Sequence, residues 1–265
     1  MPSVSINDIA LSYHDSGRGV PLLLVHGFPF DHTMWRGQIA GLSDRYRSIA
    51  PDLRGFGESG VTEGLVTMEQ MADDLAAFLD ELAIRELIVL CGLSMGGYIA
   101  FEFWRKYALK LKAMILCDTR AAADKSEVAE NRLTMADRVL REGPRPLVDS
   151  MLPKLFSPRT CADRPRLVEE MESVMLRTDP RGIAAAARGM AERRDFTAEL
   201  ANIRCRTLVL VGADDTLSPP AEMQAMAAAI PNAEYQIISN AGHMSPVEQP
   251  TAVNAAIELF LANLG

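Results

Sequence analysis

Short, largely apolar runs recur along this chain: Leu22–Val25, Arg47–Ala50, Leu87–Leu90, Ala113–Cys117, Thr207–Val211 and Tyr235–Ile238. Leu87–Leu90, β-prone and without alternation, predicts a strand covered on both faces, and the other runs, each ahead of a loop, predict further strands. Between most of them the spacing turns helical, as in MEQMADDLAAFLDEL from Met68 to Leu82. Val4–Ile6 and Ala10–His14, on either side of Asn7-Asp8, predict an opening hairpin. Strands that alternate with helices require right-handed crossovers, which gives an α/β fold with helices on both faces of a mostly parallel sheet. The expected sheet is eight-stranded, with the hairpin as its antiparallel edge.

From Asp118 to about Arg194 no strand-like run occurs. Amphipathic stretches punctuated by Pro144, Pro146, Pro153, Pro158, Pro165 and Pro180 predict roughly three or four short helices there. The expected organisation is a core domain of residues 1–118 and 195–265, with a small helical cap of residues 119–194 inserted between two strands. Such an insertion lies over the carboxyl ends of the strands, where open α/β sheets bind ligands. The plainer alternative is an extra layer of stabilising helices.

Composition narrows the class. The chain has 265 residues, 48% hydrophobic and 23% charged, with a formal net charge of −8. Nucleic acid and anionic membrane surfaces both call for a basic patch, and no purely basic run is longer than a pair such as Arg193-Arg194. The start MPSVSINDIA lacks the pattern of a signal peptide. No apolar stretch reaches the roughly 18 residues that span a bilayer. Cys91, Cys117, Cys161 and Cys205 have no metal-ligand spacing. Free thiols in a reducing cytoplasm are the expectation, with no metal and no cofactor. The oligomeric state is left open, homo-oligomer included.

The candidate chemistry centres on Gly92-Leu93-Ser94-Met95-Gly96, which fits G-x-S-x-G between the run LIVL and the helical pattern YIAFEFWRK. A serine on a tight strand-to-helix turn, here expected to span Gly92 to Gly97, projects its hydroxyl into open space. The following helix N-terminus and the Met95 amide face any negative charge that develops there. Serine needs a base, and imidazole is the usual one. His14 falls in the hairpin, and His26 is expected to brace a turn. His243 follows the last strand, on a loop from which it would reach Ser94. One of the adjacent carboxylates after LVLVG, Asp214 or Asp215, would orient that imidazole. The order serine, acid, histidine is the one expected for this architecture. A second amide for an oxyanion should come from Phe28, after the strand ending in His26-Gly27.

With these residues laid out, the chain resembles the α/β-hydrolase superfamily. The stretches that carry the resemblance are HGFPFDHTMW (26–35), PDLRGFGES (51–59), GLSMGG (92–97), GADDTLSPP (212–220) and GHMSPVEQP (242–250). It implies Ser94 as nucleophile, His243 as base, and the Phe28 and Met95 amides as oxyanion hole. It favours Asp215 over Asp214 as the acid and gives Asp52 and Arg54 structural roles. Within the superfamily the chain is most similar to serine carboxylesterases and the 3-oxoadipate enol-lactonase group. The HGFP loop also resembles that of cofactor-free haloperoxidases.

The implied activity is two-step hydrolysis of a small, largely apolar ester or lactone through an acyl-enzyme. One alternative is perhydrolysis with the same residues, suggested by Pro29. An alternative of another class is a ligand-binding signalling module that keeps the triad. The expected pocket is apolar, with Phe28, Phe30 and Trp35 beneath and Met135, Met151, Met171 and Met175 as roof candidates.

Overall fold

The computed structural model describes residues 1–264. Its strands are β1 (Ser3–Ile6), β2 (Ile9–Ser16), β3 (Pro21–Val25), β4 (Arg47–Pro51), β5 (Ile88–Leu93), β6 (Leu111–Cys117), β7 (Arg206–Gly212) and β8 (Ala233–Ile238). They form one eight-stranded sheet in the order β1-β2-β4-β3-β5-β6-β7-β8. The β1–β2 and β2–β4 pairs are antiparallel, and all others are parallel. Asn7 and Asp8 both take positive φ in the first hairpin turn, as a tight two-residue connection requires.

The α/β-hydrolase fold expected from the sequence is thus the fold observed, and its layering follows from the apolar runs. Every residue of β3 and β5 is buried. Leu22 and Leu24 pack into one hydrophobic layer, while Leu23 and Val25 pack into the other. The first layer is closed by α1 (Arg36–Leu42) and, from the far end of the chain, α11 (Pro250–Ala262). The second is closed by α2 (Met68–Glu81) and α3 (Met95–Tyr107).

Between β6 and β7 lie five helices: α4 (Ser126–Glu142), α5 (Arg145–Met151), α6 (Pro158–Asp163), α7 (Pro165–Arg177) and α8 (Pro180–Ala191). That is more than expected, because the prolines start helices as well as separate them. Four of the five carry proline at their first or second position, where the missing N–H has no helical partner to lose. The chain closes with α9 (Pro220–Ala229) and α10 (Ser245–Glu248) ahead of α11. Among the described residues no helix is long and apolar enough to cross a membrane.

Two polar bolts hold the loops at the carboxyl edge of the sheet. Arg54 and Asp74 form a fully buried pair at 2.7 Å, and Arg54 also donates to Asn7 O and Thr62 Oγ1. Asp52 accepts from the His32 and Glu58 amides, at 2.8 and 2.9 Å, and from His32 Nδ1–H at 2.7 Å. Burial works against a charged His32, but its hydrogen bond to Asp52 and the charge there outweigh it and raise the imidazole above its ordinary value.

Removing one member of the buried pair leaves the other charged and alone. Arg54→Ala should therefore lower unfolding free energy by roughly 3–5 kcal/mol, read from urea midpoints, and Arg54→Met with Asp74→Leu should recover most of it. For His32 the folded value lies above the unfolded one, so its contribution is complete below 6.5 and fades as pH rises through the folded value. The stability gap between wild type and His32→Gln should accordingly shrink from acidic to alkaline solution. A gap that grows with pH would contradict this.

Candidate active site

Ser94 is the whole of the turn between β5 and α3. The sequence suggested a wider turn, but Gly92 belongs to the strand, and Gly96 and Gly97 to the helix. Ser94 alone reverses the chain, with φ 53° and ψ −111°, a region side chains rarely adopt. The glycines instead permit close approach. A Cβ on Gly96 would lie 2.3 Å from Val25 O, so only glycine lets α3 start against the end of β3. Ser94 N–H donates to Cys117 O at 2.9 Å, and Thr119 Oγ1 donates to Ser94 O at 2.7 Å.

The serine hydroxyl meets His243 Nε2 at 2.9 Å, and His243 Nδ1 meets Asp215 Oδ2 at 2.9 Å. Both partners are buried. Asp215 also accepts from the Leu217 and Ser218 amides at 2.8 and 3.1 Å and from Ser218 Oγ at 2.7 Å. Burial pushes the Asp215 carboxyl up, but the hydrogen bond and charge of His243, with the Ser218 donors, outweigh it and hold the group below its ordinary value. An ionised Asp215 only accepts, so Nδ1 carries the imidazole hydrogen and Nε2 is free to accept from Ser94 Oγ–H. Asp214 is exposed and makes no such contact; its amide donates to Ala241 O.

The loop after β3 lies beside the serine. A Cβ on Gly27 would sit 2.8 Å from Leu93 Cδ2 and 3.5 Å from Ser94 Cβ, which fixes how closely Phe28 approaches. His26 is a brace: the Leu53 amide donates to its Nε2 at 2.9 Å, and its Nδ1–H donates to Gly27 O at 3.0 Å. Burial holds this imidazole below its ordinary value. Thr178, between α7 and α8, donates to Pro29 O at 2.9 Å. The Met95 amide is the first of α3, where no intrahelical acceptor exists.

A cavity of about 450 Å³ opens on Ser94 and His243, with Phe28, Met135 and Met151 in its wall. Phe30 and Trp35, expected there from their nearness in sequence to Phe28, do not line it. Both are buried in the α1–α11 layer, because the chain turns inward after Pro29. Met171 and Met175 are buried in the same layer. Sequence reasoning missed the charged wall formed by Arg120, Asp124, Arg132 and Lys154. Asp124 lies between Arg132 and Arg193, each at 2.6 Å, and the Arg193 guanidinium stacks 4.2 Å over the Tyr98 ring. No motif marks these residues. Ser218 was missed too, although it lies within the quoted stretch GADDTLSPP.

Metal-ligating geometry among the described residues is confined to Asp31, His32 and Asp52. Both Asp52 oxygens there already accept from protein donors.

The fold has close counterparts. A thermophilic esterase from Thermogutta terrifontis, solved with malate bound, superposes with a TM-score of 0.96 at 49% identity, covering 99% of this chain and 97% of that one. The enol-lactonase from Burkholderia xenovorans LB400 gives 0.92 at 29% identity, over 99% and 100% of the two chains. 3-Oxoadipate enol-lactonase 2 of Acinetobacter baylyi is 28% identical over 261 residues, 98% of this chain and 96% of that protein. The alpha/beta hydrolase fold family matches residues 20–250, and the chain belongs to that family.

Proposed function

We propose that the protein is a serine hydrolase that cleaves carboxylic esters or lactones of small, largely apolar acyl groups. The observation that carries this reading is the unbroken hydrogen-bonded chain from Ser94 Oγ through His243 to Asp215, opening on the cavity. An esterase and two enol-lactonases among the similar proteins support the choice of bond.

In this mechanism His243 Nε2 takes the Ser94 proton as Oγ bonds to the substrate carbonyl carbon. The Phe28 and Met95 amides donate to the resulting oxyanion. The imidazolium then protonates the departing alkoxide oxygen, the C–O bond breaks, and the acyl group stays on Ser94. Water, deprotonated by His243, attacks the acyl carbon; the serine oxygen leaves and recovers its proton. Asp215 keeps the imidazole in the right tautomer throughout. Residues 119–194 act as a cap that encloses the acyl group, with Met135, Met151 and Met190 as its apolar surface. The four free thiols support a reducing, cytoplasmic setting.

Ser94→Ala should lower kcat on p-nitrophenyl butyrate by about five to six orders of magnitude, and Asp215→Asn by about four. Equal background rates in wild type and Ser94→Ala would overturn the hydrolase reading and favour a ligand-binding module instead. Asp215 is held below its ordinary value and so keeps its charge on the acidic side. Log kcat/KM should therefore fall there with a slope of no more than one; a slope of two would mean that Asp215 takes up its proton within the same range.

A further inference from the structure

One tripeptide at the carboxyl end of β6 touches every part of the triad without supplying a member of it. Cys117 O and Thr119 Oγ1 grip the Ser94 backbone on both sides. Between them Asp118 is fully buried, with φ 46° and its amide donating to Leu210 O at 2.9 Å. Its side chain reaches the two other triad loops. Asp118 Oδ1 accepts from the Gly212 amide at 2.8 Å, three residues before Asp215. Asp118 Oδ2 is hydrogen-bonded to Ser245 Oγ, two residues after His243.

We propose that Asp118 is a positioning residue, which clamps the Asp215 loop and the His243 loop to the strand end that grips Ser94. The proposal rests on the reading of these three residues as a catalytic triad. With so few bonds between each anchor and its catalytic side chain, a shift at Gly212 or Ser245 passes to Asp215 or His243 almost undiminished.

The chemistry of the clamp suits that task. Its hydrogen-bond partners are an amide and a hydroxyl, with no cation among them. Burial, then the nearby charge of Asp215 and the neighbouring Cys117, push the Asp118 carboxyl well above its ordinary value. The group therefore holds its proton more tightly than an exposed carboxyl does. It accepts from the Gly212 amide of one loop and from the Ser245 hydroxyl of the other. The titratable groups around it are Asp215, which bonds His243, and Cys117, whose Sγ lies 3.9 Å from Cys91 Sγ on β5.

The test compares Asp118→Ala, Asp118→Asn and Ser245→Ala by kcat and KM on p-nitrophenyl butyrate. It also follows the downfield proton resonance of His243 Nδ1–H, assigned by its loss in His243→Gln. Asp118→Ala should lower kcat about 100-fold with KM within about 3-fold, and should shift or abolish the resonance. Asparagine can accept from Gly212 and donate to Ser245. Asp118→Asn should thus stay within about 5-fold of wild type, with an unchanged acidic limb and resonance. Ser245→Ala, which cuts one of the two bonds, should lose about 10-fold.

Wild-type kcat in Asp118→Ala, whatever its Tm, overturns the clamp, and so does an Asp118→Asn protein as impaired as the alanine variant. Should Asp118→Ala fail to fold, unchanged kcat and resonance in Ser245→Ala overturn it. A wild type without ester turnover, whose His243 resonance still follows the expected pattern across the variants, overturns the hydrolase reading and leaves the clamp standing.

Discussion

The fold depends at its centre on one residue held where side chains rarely go. Ser94 alone joins β5 to α3, so the helix must leave the strand at a sharp angle and press its first turn against the end of β3. That conformation costs on the order of 1–3 kcal/mol and persists only where its surroundings over-determine it. Here they do: Cys117 and Thr119 bond the Ser94 backbone from the end of the neighbouring strand, and a fully buried strand leads into it. In return, a helix N-terminus and a hydroxyl are presented together at the floor of a cavity.

Much of this was legible because it follows from short-range chemistry. Runs such as LLLV and AMILC suit buried parallel strands, and each of the eight strands overlaps a segment in which the sequence predicts one. His243 and Asp215 were legible because each follows such a run directly, and a strand's carboxyl end points to one edge of the sheet. The choice of Asp215 over Asp214 is a matter of burial: one faces the imidazole and the other faces water.

What escaped the sequence is what depends on tertiary placement. Phe30 and Trp35 are two and seven residues from Phe28, yet they pack on the opposite side of the loop. Arg132 sits on α4 among other exposed charges, and nothing in its neighbours tells that Asp124, eight residues back, turns to meet it. The five helices between β6 and β7 defeated counting because proline ends one helix and begins the next with the same geometry. Asp118 follows its strand as Asp215 does, but no motif distinguishes a strand-end carboxyl that folds inward.

These two strand-end carboxyls show how environment, not residue type, assigns a role. Asp118 and Asp215 follow adjacent strands, and both are buried. Asp215 has an imidazole and three donors from residues 217 and 218, enough to keep a charge in a site that would otherwise expel it. Asp118 has one amide, one hydroxyl and a charged neighbour, and burial prevails. Two ionised carboxylates so placed would repel each other at low dielectric. Their environments push the two carboxyls in opposite directions, Asp215 below and Asp118 above the ordinary value, the kind of division that separates acid from base in many hydrolytic sites. Charge is thus favoured on the carboxyl that meets His243, while the neighbouring one accepts from Gly212 and Ser245 on the two flanking loops.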